Sequence, residues 1–327
     1  MLKKSTAINI CLICMLLLAA CQPASAASPA GATANVPVLS LSAATFTAQA
    51  TQTNTPQSTI TSTAAPAEIR FAVIGDFGSG DLNEASVAKM VHGWNPDIII
   101  TVGDNNYPLG AEDTIDAHLG QFYHDYIYPY SGSYGAGAAE NRFFPTLGNH
   151  DWYTTGAQPY LDYLQLPGNE RYYDFVRGPV HFFALDSDGN EPDGTDSNSK
   201  QAQWLKAGLA ASVSTWNVVY FHYPPYSSGY HGSIGYMRWP FAAWGANVVF
   251  SGHDHSYERL SVDGIPYIVN GLGGGEIYDF NTPVAESIVR YNATYGAMLV
   301  TATPQQLTFA FYNHHNTLVD TYTETKK

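Results

Sequence analysis

Asp97-Ile-Ile-Ile-Thr-Val-Gly-Asp-Asn-Asn-Tyr107 is an apolar β run that stops at a glycine and hands over a carboxylate and a phenol. Ile98, Ile99, Ile100 and Val102 suit a strand buried on both faces, as in a parallel sheet covered by helices. Ligands of such sheets sit beyond the carboxyl ends of the strands, so Asp104 and Tyr107, both hard oxygen donors, are expected at the rim of a cleft. Taken singly, Gly-Asp after an apolar run is ordinary turn chemistry. The same grammar recurs four more times, and the recurrence is what carries information.

Upstream, Ile69-Arg-Phe-Ala-Val-Ile74 reads as a strand followed by Gly75-Asp76-Phe77-Gly78. Asp81-Leu-Asn-Glu84 has the spacing of a capping box, and Val87, Met90, Val91 and Trp94 recur at helical period until Asn95-Pro96 ends the helix. Strand, helix and strand form a β-α-β unit with a carboxylate at each strand tip. Downstream, Phe143-Phe-Pro-Thr-Leu147 leads into Gly148-Asn149-His150-Asp151, and Trp216-Asn-Val-Val-Tyr-Phe221 ends at His222. After a second β-α-β passage, Asn247-Val-Val-Phe250 ends at Ser251-Gly252-His253-Asp254-His255. Two histidines one residue apart share a direction only in extended backbone, so this pair belongs to a strand end or loop and not to a helix.

The donors at these tips are Asp76, Asp104, Tyr107, Asn149, His222, His253 and His255, a mixture of carboxylate, phenol, amide oxygen and imidazole that suits iron, zinc or manganese. Seven donors with one shared carboxylate make two sites. In order, Gly-Asp-x-Gly, Gly-Asp-x-x-Tyr, Gly-Asn-His-Asp, Val-x-x-His and Gly-His-x-His resemble the purple acid phosphatases of the calcineurin-like metallophosphatase superfamily, over roughly residues 69–259. Tyr267-Ile-Val-Asn-Gly-Leu-Gly-Gly-Gly275 also looks like that family's later strand and glycine loop. The resemblance implies Fe(III) held by Asp76, Tyr107, His255 and a bridging Asp104, and a second ion, Fe(II), Zn(II) or Mn(II), held by Asp104, Asn149, His222 and His253. Tyr107 discriminates most, because most calcineurin-like phosphodiesterases have another residue there. A phenol with a pKa near ~10 binds as phenolate only to a strong Lewis acid.

By the same resemblance His150 and His231 face the substrate without binding metal. His231 has Tyr230 and Gly232 as neighbours, where the family commonly has a second polar residue, and leaving-group preference is where that departure matters. The implied reaction is hydrolysis of a phosphate monoester by a metal-bound hydroxide, without a phosphoenzyme, with His150 and His231 stabilising the phosphate oxygens or protonating the leaving alkoxide. The implied fold is a four-layer α/β/β/α sandwich of two mixed sheets flanked by helices; the residues themselves support the broader α/β class. A phosphodiesterase or nucleotidase on the same centre would differ in loops 109–142 and 227–239. A binding lipoprotein with a vestigial centre is the remaining alternative, against which the intact ligand set argues.

Other segments are assigned plainer roles. Residues 109–142 read as a loop with some helix lining the substrate cleft, with His118 and His124 as surface or packing residues. A strand pair is expected at 171–175 and 181–185, and a helix at 200–211. Asp186-Ser-Asp-Gly-Asn190 lacks the full spacing of a calcium loop and reads as a solvated turn. His314-His315 reads as another, between strands at 307–312 and 318–322, and His92 and His181 are given no role.

The chain's beginning has a different character. Lys3 and Lys4, then an apolar core at 8–18, form an export signal whose core is too short to span a bilayer comfortably. Leu18-Ala19-Ala20-Cys21 resembles the lipobox of bacterial lipoproteins, which makes 1–21 a lipoprotein-type signal and Cys21 a lipidated anchor. Cleavage after Ala24-Ser25-Ala26 is the competing reading. Residues 22–67, rich in Ala, Ser, Thr, Pro and Gln, show no sustained apolar period and read as a disordered linker, leaving 68–327 as the catalytic domain. The chain's cysteines, Cys11, Cys14 and Cys21, all lie in the leader, so disulfides, thiolate catalysis and cysteine metal sites are excluded. A formal net charge of −14 argues against a nucleic-acid surface, and an anionic substrate would need local positive charge. The expected partners are thus a small phosphoester and, through the lipid, a membrane surface.

Overall fold

The computed structural model describes residues 68–326, so the leader and linker assigned to 1–21 and 22–67 lie outside the described residues. In chain order the strands are β1 (Ile69–Ile74), β2 (Ile98–Thr101), β3 (Phe143–Pro145), β4 (Tyr173–Arg177), β5 (Val180–Ala184), β6 (Trp216–Tyr220), β7 (Val248–Ser251), β8 (Tyr257–Val262), β9 (Ile265–Asn270), β10 (Ser287–Tyr291), β11 (Gly296–Ala302), β12 (Gln306–Asn313) and β13 (Leu318–Thr325). They form a six-stranded sheet in the order β13-β12-β11-β1-β2-β3 and a seven-stranded sheet in the order β10-β8-β9-β7-β6-β5-β4. Both are mixed: β1, β2 and β3 pair in parallel, as do β5, β6, β7 and β9, and antiparallel strands complete each sheet.

Side-chain alternation along the strands sets the layering, since successive residues point to opposite faces. In β6 and β7, Val218, Tyr220, Val248 and Phe250 join the core between the sheets, whereas Val219 and Val249 join a second core with Leu205 and Leu209 of the helix Lys200–Ala211. Phe71 of one sheet meets Phe182 of the other edge to face at 5.0 Å, and Tyr257 stacks on Phe311 at 4.0 Å. Helix Leu82–Trp94 packs on the outer side of the six-stranded sheet and buries Val87, Met90 and Val91. The arrangement is the expected α/β/β/α sandwich.

Asp81 caps that helix by accepting from the amides of Asn83 and Glu84, and the Glu84 carboxylate reaches back to the Gly80 amide at 2.7 Å, one residue beyond the usual box. Three expectations need correction. The hairpin starts two residues later than expected on its first arm, at Tyr173. Segment 109–142 does not line the cleft: Ile115, Leu119, Tyr123 and Tyr126 turn inward to the core, where Tyr123 meets Phe77. Only the tip of 186–190 is solvated: Gly189 and Asn190 are exposed, whereas Asp186 is fully buried and accepts from the Trp152 indole and the Asp188 amide.

Candidate metal centre

Parallel strands deliver the donors to one rim. Asp76 follows β1, Asp104 and Tyr107 follow β2, Asn149 and His150 follow β3, His222 follows β6, and His253 and His255 follow β7. The two sheets are tied together at this end. The His222 Nδ1 donates to the Val102 carbonyl at 2.8 Å, and the His253 amide reaches both Asp76 oxygens at 3.0 Å.

The backbone bends sharply to make this convergence. Asp76, Asp104 and His253 all have positive φ, at 55°, 55° and 69°, a region non-glycine residues enter rarely and chiefly at functional sites. Gly103, at φ 93°, permits the approach: a Cβ there would sit 2.5 Å from His222 Nδ1. A Cβ on Gly148 would lie 2.2 Å from Asp104 Oδ1.

Two donor groups result, with Asp104 between them. On one side, the Tyr107 hydroxyl lies 3.0 Å from both Asp104 Oδ2 and His255 Nε2, and His255 Nε2 lies 3.4 Å from Asp76 Oδ1. Asp76, Asp104 and His255 each offer a ligand atom within 4.8 Å of the others. On the other side, His222 Nε2 faces Asn149 Oδ1 at 3.0 Å and Asp104 Oδ1 at 3.5 Å. His253 stands beside them, its ring 5.0 Å from that of His222.

The electrostatics ask for a cation. His222 and His255 each spend Nδ1–H on a backbone carbonyl, Val102 and Glu276, which aims a lone pair from Nε2 into the centre. The His222 lone pair then faces amide and carboxylate oxygens, and that of His255 faces an Asp76 oxygen beside the Tyr107 hydroxyl; the contacts between acceptors become favourable only with a proton or a metal ion. Asp76 and Asp104 are buried, and no Lys or Arg lines the cavities that meet here. Burial, then Asp104 and Asp76, push the Tyr107 phenol far above its usual range, so only a strongly acidic cation removes its proton. Burial and then the neighbouring imidazoles hold His253 well below the usual range, which keeps it in the neutral form that binds metals. The donor set therefore fits a metal centre.

Both non-ligand histidines flank it. His150 donates from Nδ1 to the Pro108 carbonyl at 2.6 Å, leaving Nε2 4.0 Å from Asp104 Oδ2. His231 stacks on His253 at 4.2 Å. All nine residues singled out in the sequence thus converge at one rim.

Sequence reasoning passed over two carboxylates that hold these residues in place. Asp151 is buried and accepts from the amides of Asn105 and Gly148 and the Asn105 side chain. Asp254 accepts from the His231 amide at 2.7 Å and the Ser227 hydroxyl at 2.5 Å, which fixes the loop carrying His231. The only signal for either was its place within a site motif, Asp151 closing Gly-Asn-His-Asp and Asp254 between the two histidines of His-Asp-His.

The model for calcineurin-like phosphoesterases matches residues 69–257, more than half of the chain, and the chain belongs to that family. Within the family it is similar to purple acid phosphatases. It is 28% identical over 249 residues to purple acid phosphatase 15 of Arabidopsis thaliana, covering 63% of this chain but 45% of that protein, so the chain spans less than half of that relative's length. It is 26% identical over 249 residues to tartrate-resistant acid phosphatase type 5 of Mus musculus, covering 64% of this chain and 74% of the relative. The structure of the yellow lupin purple acid phosphatase PPD1 shares the fold, with a TM-score of 0.63 at 17% identity over 79% of this chain and 54% of that one.

Proposed function

We propose that this chain hydrolyses phosphate monoesters at a centre of two metal ions, in the manner of a purple acid phosphatase. One observation carries the reading: the two oxygens of Asp104 face different donor groups, Oδ2 toward Tyr107 and Oδ1 toward His222, as a carboxylate shared by two ions would. Asp76, Tyr107 and His255 would complete an Fe(III) site, and Asn149, His222 and His253 a site for Fe(II), Zn(II) or Mn(II). A bound pair of that kind neutralises phosphate oxygens and acidifies water at neutral pH. The protein's own groups do the rest. Val102 and Glu276 fix two imidazole orientations, and the sheet ends exclude bulk water from the carboxylates. His150, anchored on Pro108, and His231, anchored through Asp254, present imidazoles above the centre that can hold a proton beside the leaving oxygen.

Tyr107→Phe tests the ferric assignment. Phenylalanine keeps the ring packing against His150 at 4.5 Å, so the fold should survive while the phenolate ligand is lost. The expected result is disappearance of a visible tyrosinate-to-iron absorption band together with weakened iron retention. An iron-loaded wild type without such a band would refute Fe(III) at this position even if phosphatase activity persisted.

From the leader at 1–21 we further propose that the chain is exported and tethered through a lipid on Cys21, and from its formal net charge of −14 that nucleic acid is not its partner. Mass analysis of the mature N-terminus should find a diacylglyceryl Cys21; a chain starting after Ala26 would remove the anchor from the proposal.

A further inference from the structure

A cavity of about 370 Å³ opens over the centre, and its walls beyond the imidazoles include Trp152, Tyr153, Tyr223, Tyr278, Asp188 and Asn190. No Lys or Arg lines it. The other cavity that meets the centre, of about 420 Å³, likewise carries Asp81 and Glu276 and no Lys or Arg. A phosphatase selecting nucleoside di- or triphosphates or pyrophosphate needs cations for the phosphates not being transferred. Beyond the imidazoles at the centre itself, neither cavity supplies a Lys or Arg for them.

Asp188 is the charged group of the wall. It is buried, and among the described residues it has no Lys or Arg partner: Arg171 is engaged by Glu191 and Asp193, and Lys200 by Asp193. One of its oxygens takes the amide and side chain of Asn190 at 2.9 and 2.8 Å, while the other has only a 3.4 Å contact with the Tyr223 hydroxyl. Burial holds its neighbour Asp186 well above the usual carboxylate range, which weakens that group as a competitor for a cation. A buried carboxylate without a counter-cation is costly until a cation meets it.

Position gives this charge a use. The Tyr223 ring packs edge-on against His253 at 4.5 Å and its hydroxyl reaches Asp188, so one tyrosine side chain separates the carboxylate from the metal centre. An ester of a short amino alcohol, its phosphate at the centre, would carry its ammonium group past that one side chain toward the carboxylate. Trp152, Tyr153 and Tyr223 add aromatic faces, which attract alkylated ammonium groups.

Resting on the phosphomonoester reading, we infer that the preferred substrates are phosphate esters of cationic amino alcohols, with the phosphate at the metal centre and the ammonium group between Asp188 and the aromatic wall. Polyphosphates are rejected because the same wall repels their remaining charge.

Metal-loaded full-length protein should be assayed on phosphocholine, p-nitrophenyl phosphate and ATP. Wild type should show kcat/KM for phosphocholine above that for ATP by about tenfold or more, and Asp188→Asn should lower the ratio of phosphocholine to p-nitrophenyl phosphate by about tenfold. Asp188→Lys should shift the preference toward ATP. A wild type that prefers ATP, or a ratio unmoved by Asp188→Asn, overturns the inference while leaving the phosphatase reading intact. Absence of turnover on all three esters overturns that reading and this one with it.

Discussion

Asp104→Asn should strip the chain of both metals and lower kcat/KM on an aryl phosphate by at least about 10³-fold, roughly 4 kcal/mol of transition-state stabilisation. Asparagine is the informative replacement because it isolates charge from shape. Position 104 has φ 55°, which Asn tolerates and which Ala would occupy under strain. The Asn side-chain oxygen can still accept the His150 amide, 3.0 Å from Asp104 Oδ1 in the wild type, so the Gly148-Asn149-His150 turn keeps its anchor. What disappears is the negative charge shared by both donor groups, without which Tyr107, His255, His222 and Asn149 offer two half-sites with no common ligand. Metal analysis of the purified variant decides the matter. Two ions per chain, with activity within tenfold of wild type, would show that Asp104 does not bridge and would remove the observation on which the functional proposal stands.

The donors were legible for a physical reason. Each follows a buried apolar strand within a few residues, so the sequence pattern of strand, glycine and polar side chain marks the rim of a sheet without knowledge of the tertiary fold. Helix Leu82–Trp94 was equally plain, because Asp81 and the apolar spacing act locally. What escaped depends on contacts distant in sequence. Asp186 resembles a turn residue until Gln201 donates to its carbonyl and Trp152 to its carboxylate, from 15 and 34 residues away. Strands β8, β10 and β11 went unassigned. Tyr257 follows directly on the histidine motif, Ser287–Tyr291 is a half-exposed edge strand of five residues, and Gly296–Ala302 begins in a glycine and an alanine, small residues that carry no strand signal of their own. Tyr123 and Tyr126, in a Tyr- and Gly-rich segment, looked suited to a cleft; packing under the helix decided their direction instead.

The missed carboxylates and the ligands they support share one consequence. Burial, and then Asp104, raise the Asp151 carboxyl to about 7, against a value near ~3.9 in an unfolded chain. A carboxyl raised in this way is protonated in the folded state and ionised in the unfolded one between those values. Its contribution is therefore full at acid pH and is lost as pH rises from about 4 to about 7. His222 and His255 act in the same sense. Burial works to lower both, but Asp104 and Asp76 more than offset it, so their contribution is present below the unfolded histidine value and lost as pH rises through the raised one. His253, held low by burial and its neighbouring imidazoles, acts against them and loses stability as pH falls through the unfolded histidine value, so the acid-side gain is the net of the raised groups over this one.

Removing the metals should therefore expose a pH dependence that the loaded protein hides. Metal-free protein, with buried carboxylates facing one another, should be most stable near pH 5 and weaken toward pH 7. Loaded protein should do the reverse, because metal affinity requires deprotonated carboxylates and neutral imidazoles and falls on acidification. With free metal at about 1,000 times its Kd, each bound ion contributes about 4 kcal/mol, which for a domain of this size corresponds to a Tm difference of about 10 °C per ion at pH 7. Thermal unfolding of chelator-treated and reconstituted protein across pH 5 to 7 should show that difference shrinking as the pH falls. The signs are opposite for the two forms, so buffer effects common to both cancel in the comparison. If chelation leaves Tm unchanged at pH 7, or if the gap widens toward pH 5, then the carboxylates at these strand ends are not held apart from their own repulsion by bound cations.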